Sequence, residues 1–189
     1  TISYSIITML TNKSNSNINK TTFIYKMNKL KNKKFKLLLY SLCIITIDQI
    51  SKFSILRILG ERKTINIIPI FLDFTLAKNK GAAFSLFSNS TALLTITSIS
   101  ASLLLITFII KSPLRSYWNS IGLAFLLGGT VGNGIDRLFK GYVLDFFDLV
   151  PINFPIFNIA DISINIAIVC FIIDQITSKY KSRFLLKNK

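Results

Sequence analysis

Two aspartates, Asp145 and Asp161, stand in apolar surroundings, where a carboxyl group is expensive to bury and is therefore a candidate for function. Asp145 is flanked by Leu144 and Phe146, and Asp161 opens the last long apolar run of the chain. A low dielectric disfavours the charged form, and two neighbouring carboxylates do not readily ionise together. One proton shared between them would provide a base and an acid at once. Such a pair can activate water for peptide hydrolysis.

A structural interpretation of both aspartates stays open on spacing alone. Asp161 can equally be the N-terminal cap of a helix, and Asp145 can be a solvated loop residue. The chain has no His, which excludes the Ser-His-Asp and Cys-His arrangements and the common His-ligated metal sites. We therefore predict neither a metal nor a cofactor, and the aspartate pair is the simplest hydrolytic chemistry available.

Four apolar runs must position these side chains, and each approaches the ~20 residues that a helix needs to cross a bilayer. They cover residues 35–59, 91–110, 118–135 and 161–176. Residues 64–77 are rich in Ile and Phe around Pro69, which predicts short strands with a turn. A water-soluble bundle is the alternative, but its helices would show a polar face that these runs mostly lack.

The formal net charge of +15 is unevenly distributed. Lys and Arg concentrate in residues 1–36, 111–117 and 179–189, which the positive-inside rule places in the cytoplasm together with both termini. The loops 60–90 and 136–160 then lie on the outer side. We interpret the basic charge as a topology signal and predict no nucleic-acid partner, although a basic balance can also indicate one.

Three segments follow from this pattern. Residues 1–34 are polar and predicted to be disordered, residues 35–178 form the membrane domain, and residues 179–189 are a basic cytoplasmic tail. A second basic start at Met27 leaves open whether the first 26 residues are a dispensable extension. The first apolar run could also be a cleavable signal peptide, but no A-x-A-like site follows it and three more runs do, which favours a retained helix.

Pairs of polar residues at helical spacing accompany the aspartates. Asp48 and Lys52 are four apart and can pair, and Asn133 and Arg137 would share one helix face. Arg137 could hold a carboxylate or a backbone carbonyl beside the aspartates. The run from Gly128 to Gly134 is of the kind that lets membrane helices approach closely, and it lacks the phosphate-loop pattern.

Taken in order, five boxes of residues resemble the lipoprotein signal peptidase (signal peptidase II) family. They are Asp48-Gln49 with Lys52; Asn79 with Gly81-Ala82-Ala83-Phe84; Gly128-Gly129 with Gly132-Asn133 and Asp136-Arg137; Val143 with Asp145-Phe146; and Phe157-Asn158 with Ala160-Asp161. The resemblance implies an all-α integral membrane fold, with four transmembrane helices and a small extracytoplasmic β-sheet in the first outer loop.

The resemblance also implies an intramembrane aspartyl endopeptidase with Asp145 and Asp161 as its catalytic pair. It implies a site lined by Asp48, Lys52, Asn79, Gly81, Gly129, Asn133, Asp136, Arg137, Asn158 and Ala160. The substrates would be diacylglyceryl-modified prolipoproteins, cleaved just before the lipidated cysteine at the outer face of the bacterial cell membrane. We expect a monomer in contact with membrane lipids.

Two other classes of protein compete with this interpretation. A small transporter or channel component would use intramembrane carboxylates as an ion relay distributed across the membrane depth. The carboxylates here cluster towards one side, which disfavours a relay. A structural membrane subunit would tolerate replacement of Asp145 and Asp161 by Asn.

Overall fold

The computed structural model describes residues 2–60, 64–81, 91–114, 116–152 and 154–187. The described part is mostly helical and contains one three-stranded antiparallel sheet. Its elements are α1 (Ile2–Leu59), β1 (Thr64–Ile68), β2 (Leu72–Asn79), α2 (Thr91–Lys111), α3 (Tyr117–Lys140), β3 (Val143–Leu149) and α4 (Ile159–Lys187). A short 3-10 helix, Val150–Ile152, follows β3.

Helix α1 begins at Ile2 and therefore includes residues 2–34, for which composition predicts disorder. The structure differs from that expectation, and helix propagation gives the physical reason: a helix nucleated in the apolar part of α1 extends by one hydrogen bond per added residue. By its contacts the chain divides into residues 1–36, which form a unit of their own, and residues 37–189. Every contact described below lies in the second unit.

Two of the described helices are long and apolar enough to cross a membrane. These segments are Thr91–Lys111, with a mean hydropathy of 2.3, and Ile159–Tyr180, with a mean hydropathy of 1.9. Most of their residues are not buried within the protein, so their apolar side chains need an apolar solvent or partner. Helix α3 is different, because it packs against both α2 and α4 and buries many of its residues.

Two glycines of α3 allow the helices to approach closely. A Cβ atom on Gly129 would lie 2.5 Å from the carbonyl oxygen of Ala160, and one on Gly132 would lie 2.7 Å from Asp48 Oδ2. Both distances are shorter than van der Waals contact, so a larger residue would push α3 away from α4 or α1. The predicted role of the Gly128–Gly134 run in close packing is confirmed at these two positions.

The sheet has the strand order β1-β2-β3. Strands β1 and β2 confirm the strands and turn predicted for residues 64–77. The third strand, Val143–Leu149, comes from the second long connection, so the sheet is not confined to the first one as predicted. The sequence VLDFFDL lacks the alternation of a half-buried strand, because its first four residues are all buried, and it gives little strand signal.

A bulge in β2 decides which side chains meet those of β3. Phe74 pairs with Phe147, but Ala77 pairs with Asp145, so β2 contributes one extra residue between these two pairs. Since a shift of one residue turns the side chains to the opposite face, the bulge places Asn79, two residues after Ala77, on the face of Asp145.

Candidate active site

Asp145 lies in the middle of β3 and is only 2% exposed. Asn79 Nδ2 donates to its Oδ2 at 3.0 Å, and Asn158 Nδ2 donates to its Oδ1 at 2.6 Å. Burial raises the pKa of Asp145 to about 6; the charge of Asp161 acts in the same direction, whereas the two amide donors oppose it. The alternative of a solvated loop residue is therefore wrong for Asp145.

Asp161 occupies the first turn of α4, which begins at Ile159. Asn158 is the residue before the helix, and its Oδ1 accepts the Asp161 backbone N–H at 3.0 Å, while the Asn158 backbone N–H donates to Asp161 Oδ2 at 3.2 Å. These reciprocal bonds form a capping box. Asn158, and not Asp161, is thus the N-terminal cap. The second carboxylate oxygen of Asp161 accepts from Asn133 Nδ2 at 2.8 Å.

The side chain of Asn158 joins the two carboxylates. It is completely buried, and its Nδ2 lies 2.6 Å from Asp145 Oδ1 and 3.0 Å from Asn133 Oδ1. The same residue exchanges both capping bonds with Asp161. The structure therefore brings Asp145 and Asp161, which are distant in the chain and lie in different elements, to one buried amide.

A buried ion network lies beside this pair. Lys52 Nζ is 2.8 Å from Asp48 Oδ2 and 2.9 Å from Asp136 Oδ2, and all three side chains are completely buried. Asp136 also accepts from Lys140 Nζ at 2.8 Å and from the Leu144 backbone N–H at 3.2 Å. The predicted pairing of Asp48 with Lys52 is confirmed. Asp136 thereby also binds the backbone of the residue that precedes Asp145.

Asp48 connects α1 to the beginning of α4. Its Oδ1 accepts the backbone N–H of Ala160 at 2.9 Å, in the first turn of α4. Gln49 Nε2 donates both to Asp48 Oδ2 and to the Gly132 carbonyl oxygen, each at 3.1 Å. The first turn of a helix leaves backbone donors without intrahelical acceptors, and Asp48 satisfies one of them from another helix.

Arg137 contacts α2 and the residue that follows Lys80, just after the end of β2. Its Nη2 donates to the Gly81 carbonyl oxygen at 3.4 Å and its Nη1 donates to Ser98 Oγ at 3.3 Å. Gly81 in turn donates its backbone N–H to Asn79 Oδ1 at 2.9 Å. Of the two roles predicted for Arg137, the structure shows the contact with a backbone carbonyl. This contact supports the turn that carries Asn79 to Asp145.

Sequence reasoning missed two side chains of this region. Lys140 lies four residues after Asp136 on α3, a spacing that would have predicted the pair. Ser98 is an ordinary helix residue of α2, and no pattern marks it. Asp174, farther along α4, accepts a hydrogen bond from Ser116, the N-terminal cap of α3, and does not belong to the site.

A family model described as signal peptidase (SPase) II matches residues 40–177. The chain belongs to the signal peptidase II family. The matched range contains both aspartates and every other candidate site residue, and the match confirms the family that the five boxes indicated.

Individual members of the signal peptidase II family agree with this assignment. The lipoprotein signal peptidase of Parasynechococcus marenigrum is 41% identical over 140 residues, which cover 74% of this chain and 88% of the relative. That of Thermosynechococcus vestitus is 49% identical over 110 residues, with coverages of 58% and 70%. That of Enterococcus faecalis is 36% identical over 135 residues, with coverages of 71% and 84%.

Two solved structures of bacterial membrane enzymes share the fold of this signal peptidase II family member. One, at 2.3 Å resolution, aligns with a TM-score of 0.70 and 31% identity over 76% of this chain and 89% of its own. The other, at 1.9 Å resolution, has a TM-score of 0.66 and 32% identity, with coverages of 74% and 92%.

Proposed function

We propose that Asp145 and Asp161 are the catalytic dyad with which this member of the signal peptidase II family removes signal peptides from diacylglyceryl-modified prolipoproteins, cleaving just before the lipidated cysteine. One observation carries the proposal: two aspartates from β3 and α4 meet at the buried side chain of Asn158. The test is cleavage of a lipidated precursor by the purified chain and by its Asp145→Asn variant.

The surroundings of the two carboxylates assign their roles. Each carboxylate accepts two hydrogen bonds, but Asp161 also lies in the first turn of α4, where the helix dipole favours a negative charge. Asp145 lies among apolar residues of β3, and its raised pKa favours the protonated form. We therefore assign Asp161 as the base that activates water and Asp145 as the acid that holds the shared proton.

The reaction then needs only these two groups and one water. Asp161 takes a proton from the water, and the water oxygen attacks the carbonyl carbon of the residue before the cysteine. At the same time Asp145 gives its proton to the carbonyl oxygen. When the C–N bond breaks, the amine of the cysteine takes the proton from Asp161, and a hydroxyl of the intermediate returns a proton to Asp145. The products are a signal peptide with a carboxyl terminus and a lipoprotein with a free amine.

The raised pKa of Asp145 predicts a pH dependence. Since the acid must hold its proton, kcat/KM is expected to fall as the pH rises through the pKa of about 6, with an apparent value that belongs to the coupled pair. A rate that keeps rising above pH ~6 would contradict the assigned acid.

The raised pKa of Asp145 also predicts how stability depends on pH. Between the ordinary aspartate pKa and about 6, the folded state binds more protons than the unfolded state, so the free energy of unfolding falls as the pH rises through that window. Thermal unfolding measured across the window checks this.

We also propose a topology of four transmembrane helices with both termini in the cytoplasm and the site at the outer face. The exposed apolar surfaces of α2 and α4 support the membrane-spanning helices. The concentration of basic residues in 111–117 and 179–189 supports the orientation. With Cys43 and Cys170 replaced by Ser, an impermeant maleimide is expected to label Ile67→Cys in intact spheroplasts and Lys179→Cys only after permeabilisation. The reverse labelling would contradict the orientation.

Membrane lipids are proposed partners of the exposed apolar residues at one end of the sheet. Ile70 forms the β1–β2 turn, is 83% exposed and has a φ of 67°, a strained conformation for a β-branched residue. Phe71, Ile152 and Phe154 are also exposed, and the Val150 N–H binds the Phe71 carbonyl oxygen, which joins the two segments. Brominated lipids are expected to quench the fluorescence of Ile70→Trp in a Trp118→Phe background, which lacks the chain's own tryptophan; quenching no greater than in unbrominated lipid would contradict the contact.

The hydrogen bonds described for the dyad are all made within one chain, which supports a monomer, and the mass in detergent is expected to be that of one chain. We propose that residues 35–178 form the peptidase domain, that residues 179–189 are a cytoplasmic tail, and that residues 1–34 are an extension outside the family match, which begins at residue 40. Deletion of residues 1–26 is then expected to leave cleavage unchanged, and loss of cleavage in a folded deletion variant would contradict this.

A further inference from the structure

The ammonium group of Lys52 contacts both the ion network and one of the amides beside the dyad, that of Asn133. Lys52 is completely buried, and its Nζ lies 2.8 Å from Asp48 Oδ2, 2.9 Å from Asp136 Oδ2 and 3.1 Å from Asn133 Oδ1. An ammonium has three N–H donors and no acceptor. All three donors are therefore used, and one of them reaches beyond the carboxylates to an amide.

The contact with Lys52 fixes which way the Asn133 side chain is turned. Because an ammonium only donates, the amide oxygen must face Lys52, and the NH₂ group then points to Asp161 Oδ1, 2.8 Å away. The flipped amide would place its oxygen against the carboxylate and its NH₂ group against the ammonium. Both contacts would be repulsive, so the cation selects the orientation in which Asn133 donates to Asp161.

The same oxygen also orients the second amide. Asn133 Oδ1 accepts from Asn158 Nδ2 at 3.0 Å, and that NH₂ group donates to Asp145 Oδ1 at 2.6 Å. Turning Asn133 over would remove the acceptor that faces Asn158. The orientation of one amide therefore affects the donors of both carboxylates, one through Asn133 itself and one through Asn158.

We propose that Lys52 is a positioning residue of the cleavage reaction, which acts on Asp145 and Asp161 by fixing the orientation of the Asn133 amide. This inference rests on the proposed function of the dyad. A purely structural role for Lys52 would lie in stabilising the fold, but buried ion pairs often contribute little net stability. The proposed role is instead to orient an amide of the site. Lys140 provides the comparison, because it binds Asp136 in the same network but makes none of the hydrogen bonds described above to Asn133, Asn158 or the dyad.

The test compares Lys52→Met with Lys140→Met, using a lipidated precursor and saturation kinetics. Misplacement of a catalytic group by about 1 Å can cost about 100-fold in rate, so Lys52→Met is expected to lower kcat about 100-fold with little change in KM. Lys140→Met removes the same kind of charge from the same network but no contact with Asn133, and it is expected to lower kcat far less than Lys52→Met does.

Two further variants separate positioning from loss of charge balance. Lys52→Met combined with Asp48→Asn removes the positive charge together with the buried carboxylate that Lys52 neutralises, whereas Asp136 keeps its ion pair with Lys140, and kcat is expected to stay low. In an Asn133→Ala background, Lys52→Met is expected to cause almost no further loss, because residues that act through one another are non-additive.

The outcomes distinguish the two proposals. Wild-type kcat in a folded Lys52→Met variant, recovery of the rate in the charge-balanced variant, or fully additive losses with Asn133→Ala would each overturn the role of Lys52. None of these results affects the dyad itself, whose failure would appear as absence of cleavage by the wild type or as unchanged cleavage by Asp145→Asn.

Discussion

Replacing Asp161 with Asn is expected to lower kcat for precursor cleavage about 10³- to 10⁴-fold, at the upper end of what a general base contributes. The asparagine has the same shape, and its amide oxygen can still accept the Asn158 backbone N–H that closes the capping box, although its NH₂ group no longer accepts from Asn133. It cannot take a proton from water. Loss of rate with the helix start intact would therefore report the base and not a folding defect.

Asp174→Asn is the matched control for this variant. Asp174 lies on the same helix, and its carboxylate accepts a hydrogen bond from Ser116 that an asparagine oxygen can also accept. Its rate is expected to stay within about threefold of the wild type, as for most substitutions away from a site. Cleavage by Asp161→Asn at a comparable rate would show that this carboxylate does not activate the water.

Outside the two aspartates, Asn158→Ala is expected to have the largest effect, a fall in kcat of about 10²- to 10³-fold by misplacement of both catalytic groups. The substitution removes the NH₂ donor to Asp145 and the oxygen that accepts the Asp161 backbone N–H. Loss of the helix cap should also destabilise the protein by about 1 kcal/mol. The measurement is the cleavage rate together with the thermal midpoint in detergent.

Asn158→Ser separates the two roles of this residue. A serine can keep the capping bond, since Ser is a favourable N-terminal cap, but its short side chain cannot extend to Asp145 and Asn133. The thermal midpoint is therefore expected to remain near that of the wild type while kcat stays low. Asn66→Ala, which breaks an exposed hydrogen bond of 2.7 Å to Asp73, serves as the control for loss of an Asn–Asp contact. A wild-type kcat in Asn158→Ser would contradict the bridging role.

Parts of this site follow from local rules that the sequence shows directly. Asp48 and Lys52 are one helical turn apart, and the structure pairs them. The spacing of Asn158 and Asp161, followed by an apolar run, is that of a capping box, so the start of α4 is also a local feature. The order of the five boxes then predicted the family, which the match to residues 40–177 confirmed.

Other parts depend on contacts between distant segments. Strand β3 is buried where it passes Asp145, and the bulge that turns Asn79 towards Asp145 arises only when β2 pairs with it. The hydrogen bond from Lys52 to Asn133 joins residues that are 81 positions apart. No periodicity in one segment encodes such a contact, because it is created by the close approach of α3 to α1 at Gly132.

Cleavage by Asp145→Asn is the most direct test of the dyad. Purified wild type, Asp145→Asn and Asp148→Asn, the last from the same strand, are incubated with one lipidated precursor, and the products are weighed by mass spectrometry. We predict that wild type and Asp148→Asn release a peptide ending just before the lipidated cysteine, whereas Asp145→Asn releases none. Because the NH₂ group of Asp145→Asn would face the amide donor of Asn79 or Asn158, its thermal midpoint is measured beside the rate to show that the variant is folded. Release of the same peptide by Asp145→Asn at the wild-type rate would contradict the account.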